Sequence, residues 1–320
     1  MSLRFLGVVL VSVLCWSVVP GRAAAQPATP PALPAPTLPE EPAPLPAAEL
    51  APGRAHESLW RDEWGRSGWP NYVMIGSSAV IALGNIIRAA DEERPNRGRN
   101  DFDEAARDAL RLPVEQQRLV IRDFSDGLLT LMTSTPVLFD ALILAAWAHA
   151  DEAAAIEMVF IHAEVIAATL ALQTFANVAV SRERPYGRTC GGGGPDDFDE
   201  DIFFCNSPDR YYSFFSGHTS QAFASAAVIC SFHMNMPLLG DGAQNTVLPC
   251  AAGFAVAGMT GLFRMLGDMH YASDVMTGAA VGTAMGFLIP WLLHFNPRHP
   301  GEVGVSIIPG PTGVSLTGVF

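Results

Sequence analysis

From Trp60 onward the chain alternates long apolar stretches with short polar connections. Six of the stretches have helix length: about 69–87, 127–150, 153–180, 216–236, 247–263 and 270–295. The pattern predicts an all-α fold, a bundle of about six core helices. Only 275–293 is uncharged and long enough to read as a membrane span by itself, since a bilayer core needs about 20 apolar residues. Asp140 interrupts the second stretch and Glu157, His162 and Glu164 the third, which suits a bundle interior as well as lipid. Gly278, Gly282 and Gly286 recur every four residues on one face of the last stretch, and are read as a close-packing seam.

Two further segments stand outside this alternation. Residues 88–123 carry eight Arg among nine acids, with an amphipathic surface helix expected around 103–112. Residues 303–308 and 313–320 flank a Pro-Gly-Pro-Thr turn and predict a short C-terminal β-hairpin. Neither segment calls for a functional reading at this level.

Composition adds a compartment and removes some partners. Residues 1–25 read as a secretory signal peptide, with Arg4, an apolar run, Pro20 and Ala23-Ala24-Ala25 as a cleavage site. Cys15 is taken as part of that leader. Residues 26–59 form a Pro/Ala-rich linker that cannot bury enough apolar surface to order itself. Residues 60–300 are the helical domain and 301–320 its tail. A net charge of -13 argues against nucleic acid as a partner. All 19 basic residues are Arg, so any anion must be gripped without Lys.

Candidate chemistry gathers at the ends of the apolar stretches. In Arg264-x5-His270-x3-Asp274 the four-residue spacing puts His and Asp on one helical face. Asp274 can then accept a hydrogen bond from one ring nitrogen of His270 and leave the other as a nucleophile. Ser216-Gly217-His218 opens the fourth stretch, where a helix start offers N–H groups to an anion and Gly217 lets the backbone approach it. His218 projects there as a candidate proton donor. Arg184-Pro185 ends the third stretch and presents a guanidinium suited to phosphate oxygens.

In this order the three elements resemble the motifs of the type 2 phosphatidic acid phosphatase (PAP2) and vanadium haloperoxidase superfamily: Lys-x6-Arg-Pro, Pro-Ser-Gly-His, and Ser-Arg-x5-His-x3-Asp. Asn177, Phe215 and Phe263 stand where that pattern has Lys, Pro and Ser. Arg182, Arg188 and Arg210 are the nearby candidates to supply the missing charge. The resemblance implies a phosphatase in which His270 attacks phosphorus and forms a phosphohistidine. It also implies that His218 protonates the leaving group and Asp274 orients His270. Arg184, Ser216, Gly217 and Arg264 would hold the phosphate. No metal and no cofactor is implied.

The implied substrate is a phosphomonoester or diphosphate, either a lipid phosphate of phosphatidic acid or polyprenyl diphosphate type or, for a soluble bundle, a small phosphate ester. The alternatives are a lipid-phosphate binder without turnover and a vanadium-dependent haloperoxidase. His149, His162, His233, His294 and His299 form no comparable cluster and are read as structural. Cys190 and Cys205 bracket an acidic, Gly-rich loop, where a disulfide suits an exported protein. That loop lacks calcium-loop spacing and is read as solvated. Cys230 and Cys250 share a depth in the bundle and are candidate neighbours. The expected location is the cell envelope, in the membrane with the site facing the periplasm, or alternatively soluble in the periplasm. A cleaved leader combined with three spans before the site would instead turn the site inward.

Overall fold

A computed structural model describes residues 58–88, 98–190, 205 and 207–296, with the backbone of 304–310 and 313–319. The expected leader, most of the linker, the acidic loop and His299 lie outside the described residues. Within them the helices are α1 (Trp69–Arg88), α2 (Asp101–Leu110), α3 (Glu115–Thr135), α4 (Glu152–Val180), α5 (Gly217–Asn235), α6 (Gln244–Leu266) and α7 (Ala272–Pro290). Helix α3 runs on as a π-helical segment from Pro136 to Ala148, and α7 from Trp291 to Phe295. The 3₁₀ turns Pro185–Thr189 and Pro208–Tyr211 lie between α4 and α5. At the C-terminus, β1 (Gly304–Gly310) runs antiparallel to β2 (Gly313–Val319).

The helix boundaries have local causes. Asn100 caps α2 by accepting from the Asp103 N–H, and Asp101, Asp103 and Glu104 place negative charge on its positive end. Asp151 caps α4, and Ser216 caps α5 through the Thr219 N–H. Helix α4 stops at Ser181, whose φ of 45° turns the chain left-handed. That reversal aims Arg182 to Arg184 back across the end of the bundle.

Helix α5 is the central element, with Ala222, Ala224 and Val228 fully buried. Its seam with α7 is backbone against backbone. A Cβ on Gly282 would come within 2.1 Å of the Ser220 carbonyl oxygen, and one on Gly286 within 2.4 Å of that of Ala224. At the seam's upper end a Cβ on Gly278 would meet the Ser216 carbonyl at 2.8 Å. The glycine stripe is thus a packing feature, as the sequence indicates, and it sets the distance between the two helix starts that carry His218 and His270.

Helices α1, α4 and α6, and α3 and α7 with their π-helical extensions, are each long and apolar enough to cross a membrane. Val80, Ile87, Trp147, Leu248 and Met276 are exposed on their outer faces, an apolar girdle that a bilayer solvates and water does not. The protein is an integral membrane protein. Its buried histidines meet polar partners: Glu164 and His294, both fully enclosed, lie 2.8 Å apart, and His233 meets Asn245 at 3.1 Å. The cysteines form two close pairs, Cys190 with Cys205 and Cys230 with Cys250, at Cα separations of 5.6 and 4.7 Å.

The seam yields a paired prediction. Gly282→Ala forces α5 and α7 apart and destabilises the protein by about 1–3 kcal/mol, the usual cost of overpacking. Gly258→Ala, where a Cβ meets nothing within 4 Å, is neutral or gains up to about 1 kcal/mol of helix propensity. Thermal unfolding in detergent compares the two.

Candidate active site

One end of the bundle collects the C-termini of α4 and α6 and the N-termini of α5 and α7. Each contributes a residue singled out in the sequence: Arg184 after α4, Ser216-Gly217-His218 at the start of α5, Arg264 near the end of α6, and His270 and Asp274 around the start of α7. His270 is 4% exposed, and its Nδ1 lies 2.8 Å from the Ser213 carbonyl oxygen. A carbonyl only accepts, so Nδ1 carries the proton and Nε2 keeps the lone pair.

The predicted His270–Asp274 hydrogen bond is not made. Helix α7 starts only at Ala272, so His270 lies in the turn before it, and its Nδ1 is 4.0 Å from Asp274 Oδ2. The Asp274 oxygens are engaged elsewhere. Oδ2 accepts from Ser213 Oγ at 2.6 Å and from the Tyr271 N–H at 2.9 Å, while Oδ1 accepts from Arg182 at 2.6 Å. Asp274 therefore reaches His270 through Ser213, whose hydroxyl it holds and whose carbonyl fixes the imidazole. At 4.0 Å its charge still favours an imidazolium.

Ser216 is fully buried, accepting from the Thr219 hydroxyl at 2.9 Å, and its own N–H donates to the Asp274 carbonyl at 3.1 Å. Gly217 and His218 follow in the first helical turn, where N–H groups have no intrahelical acceptor. A Cβ at Gly217 would touch the Gln173 side chain at 3.1 Å. Arg184 donates from Nε to the Asp209 carbonyl at 2.8 Å, and its terminal nitrogens find no acceptor among the described residues. Arg264, 3% exposed, ion-pairs with Asp126, and its Nε has no partner among the described residues. Burial, and then the charges of Arg184, Arg264 and His218, push the His270 pKa well below its usual value. His270 is therefore neutral near pH 7, with the Arg184 and Arg264 guanidinium groups nearby.

Of the three candidates for the missing Lys, none is spare. Arg182 sits between Asp103 and Asp274 at 2.6 Å from each. Arg188 pairs with Glu104, and Arg210 with Glu183 at 2.5 Å. Asn177 is buried and its Oδ1 has no partner among the described residues. A cation the sequence did not flag is Arg122 on α3, which donates from Nε to the Gly267 carbonyl at 2.8 Å, in the turn preceding His270.

The Arg-rich segment set aside in the sequence proves to hold this site together. Asp103 of α2, 1% exposed, accepts from Arg182, from the Ser273 N–H at 2.8 Å and from the Ser273 hydroxyl at 2.6 Å. Burial alone would raise its pKa, but those donors and Asn100 hold it below the usual carboxylate value. Arg182 is likewise destabilised by burial and kept charged by Asp274 and Asp103. One turn further along α2, Arg107 grips both oxygens of Asp268 at 2.6 Å, and Arg111 adds a third bond at 2.8 Å. The signal for this was the i, i+4, i+8 spacing of Asp103, Arg107 and Arg111. It marks one face of a helix but not what that face meets.

The remaining described histidines lie elsewhere and are satisfied. His149 lies 3.1 Å from the Leu238 carbonyl, and His162 3.3 Å from Ser225 Oγ. Among the described residues no group of three or more His, Cys, Asp or Glu is arranged to hold a metal ion.

The lipid A 1-phosphatase of Porphyromonas gingivalis is 38% identical over 88 residues, which are 28% of this chain. The chain spans 18% of that protein's length. A transmembrane PAP2-type phosphatidylglycerolphosphate phosphatase from Bacillus subtilis superposes on 69% of this chain and 94% of its own. Its identity is 18% and the TM-score 0.40, too loose to compare positions within the site. A family model described as the PAP2 superfamily matches residues 158–298, the segment running from α4 past α7 that carries all three motifs. This segment, less than half of the 320-residue chain, is similar to the PAP2 superfamily.

Proposed function

We propose that this protein is a membrane phosphatase that removes the phosphate of a lipid phosphate through a phosphohistidine on His270. The observation that carries the reading is the donor set around His270. Arg184 and Arg264 retain unpaired nitrogens among the described residues, and their charges reach a histidine whose Nδ1 is held by Ser213. A tetrahedral phosphate supplies the oxygens such a set lacks. The matching segment of the lipid A 1-phosphatase supports a lipid phosphate as the substrate class.

In the first step His270 Nε2 attacks phosphorus, the P–N bond forms, and the P–O bond to the lipid breaks. His218, as the imidazolium, gives its proton to the leaving oxygen and becomes neutral. Arg184, Arg264 and the N–H of Gly217 hold the equatorial oxygens as charge spreads over them. In the second step water loses a proton to His218 and attacks phosphorus, the P–N bond breaks, and inorganic phosphate leaves. Asp274, through Ser213 and by its charge, steadies His270 while it carries the phosphoryl group.

The facing of the site follows from the ends of α7. The Gly65 N–H donates to the His294 carbonyl at 2.9 Å, at the end of α7 remote from His270, so the segment before α1 and the site lie at opposite ends of the bundle. The Cys190–Cys205 pair, at the catalytic end, suits an oxidising compartment. We place the site outward and Gly65 inward. A leader cleaved after export would demand the reverse.

Three outcomes are expected. Phosphate release from a lipid phosphate falls by about 10³-fold or more in His270→Ala, as for loss of a nucleophile. Anion binding without release in the unaltered protein would make it a binder, and vanadate-dependent bromide oxidation a peroxidase. In the pH profile of kcat/KM, His270 is active only when neutral and its pKa is depressed. Activity is therefore retained as pH falls through 6.5, and its acid limb lies below that value. A limb at or above it shows that His270 is not held neutral by its surroundings. Finally, in intact cells a membrane-impermeant thiol reagent labels Asp209→Cys and spares Ser58→Cys; the opposite pattern turns the site to the cytoplasm.

A further inference from the structure

Asp126 lies on α3, outside the segment matched by the family model, and no motif includes it. Its Oδ1 accepts from His218 Nε2 at 2.8 Å and is ion-paired with Arg264. One oxygen thus takes donors from two residues that the proposed mechanism assigns to the substrate phosphate. The Asp126 side chain is about half exposed, whereas that of Arg264 is 4% exposed. The carboxylate therefore reaches in from the mouth of the site toward an arginine deep within it. The Nε2 proton that His218 should give to a leaving oxygen instead points at Asp126.

We propose that Asp126 is a resident anion that competes with the substrate phosphate for His218 and Arg264, and that it selects for doubly charged terminal phosphates by having to be displaced. The proposal rests on the phosphatase reading and assigns to Asp126 the discrimination of monoesters and terminal diphosphates from diesters. The reason is charge. A bilayer presents this site with phosphodiester head groups at high local concentration, each carrying a single negative charge. Such a group gains nothing electrostatically over a tethered carboxylate of the same charge. A terminal phosphate carries about -1.5 to -2 at pH 7 and a third acceptor oxygen. It can hold His218 and Arg264 and also engage the Arg184 nitrogens that Asp126 leaves unpaired. Once displaced, Asp126 frees the His218 proton for the leaving group, so binding of the right anion completes the acid.

The test uses the full chain in detergent, with Asp126→Asn and Asp126→Ala compared to the unaltered protein. Thermal melting serves as the folding control. Binding of inorganic phosphate and of diethyl phosphate is measured by calorimetry, and turnover of a lipid phosphate with diethyl phosphate as inhibitor. If Asp126 occupies the site nine-tenths of the time, its removal tightens inorganic phosphate binding about tenfold, because apparent affinity scales with the open fraction. Both variants also gain diester binding and become inhibited by diethyl phosphate, which leaves the unaltered protein unaffected. Unchanged phosphate affinity, with diester still excluded, overturns the proposal, as does a loss of kcat with no change in binding. The latter makes Asp126 a positioning residue for His218. Tightened phosphate binding without turnover in any form upholds Asp126 and removes the phosphatase reading instead.

Discussion

The site depends on a buried arginine held between two carboxylates. Arg182, 8% exposed, lies 2.6 Å from Asp103 of α2 and 2.6 Å from Asp274 of α7, with its guanidinium over the Tyr271 ring at 4.3 Å. Three elements remote in sequence meet in this one group. Desolvating three charges is costly, and such a triad need not be more stable than an apolar cluster of the same volume. Removing one member, however, strands the others and costs about 3–5 kcal/mol. The value of the triad is geometric. It fixes Asp274, which fixes the Ser213 hydroxyl, and the Ser213 carbonyl fixes which nitrogen of His270 is free. The second ionic clamp, Arg107 and Arg111 on Asp268, holds the other side of the same turn at a residue with a left-handed φ of 60°. With both flanks tied to α2, the turn carrying His270 has little freedom although it is a loop.

The seam of glycines does for distance what the triad does for orientation. Because α5 and α7 touch through backbone atoms, the Ser216 N–H can reach the Asp274 carbonyl, and the Ser216–Gly217 turn is fastened directly to the start of α7. This is a low-tolerance contact in a membrane protein, where lipid offers no hydrophobic drive to press helices together and close packing has to supply the attraction. The site's cations then lie around an enclosed neutral histidine, an arrangement that repels itself until an anion is present. Asp126 relieves part of that repulsion from the mouth, and does so reversibly because it is half in water.

The bundle itself was legible because its helices obey length and periodicity. The boundaries Trp69–Arg88 and Glu152–Val180 fall within one residue of the apolar runs, as expected where Ser, Asp or Pro punctuates an otherwise uniform stretch. Helix α3 was foreshortened: its first turns, from Glu115 to Asp126, are polar and read as a surface segment, yet they carry Arg122 and Asp126 into the site. The three motifs were readable since each combines a reactive side chain with a helix-terminating or helix-starting neighbour. The His270–Asp274 geometry was not. Spacing of four implies a shared helical face only if both residues are helical, and the Asp274 cap begins the helix one residue too late for His270. What the sequence could not carry was partnership across long separations, such as Asp103 with Ser273 or Arg107 with Asp268, because a charge pattern gives a face and not its opposite number.

The absent Lys shows how such partnerships decide function. By proximity in sequence Arg182, Arg188 and Arg210 are equally suited to replace it, and all three are engaged by carboxylates. Proximity in space points elsewhere. Arg122 enters from α3 and donates to Gly267 beside the nucleophile's turn, while the Lys position itself is a neutral, buried Asn177. Arg122 thus lies on the α3 side of the site, one helical turn from Asp126. Cation and resident carboxylate then sit on the same helix, four residues apart. One rigid element therefore positions both the guanidinium beside the His270 turn and the carboxylate that meets His218 and Arg264.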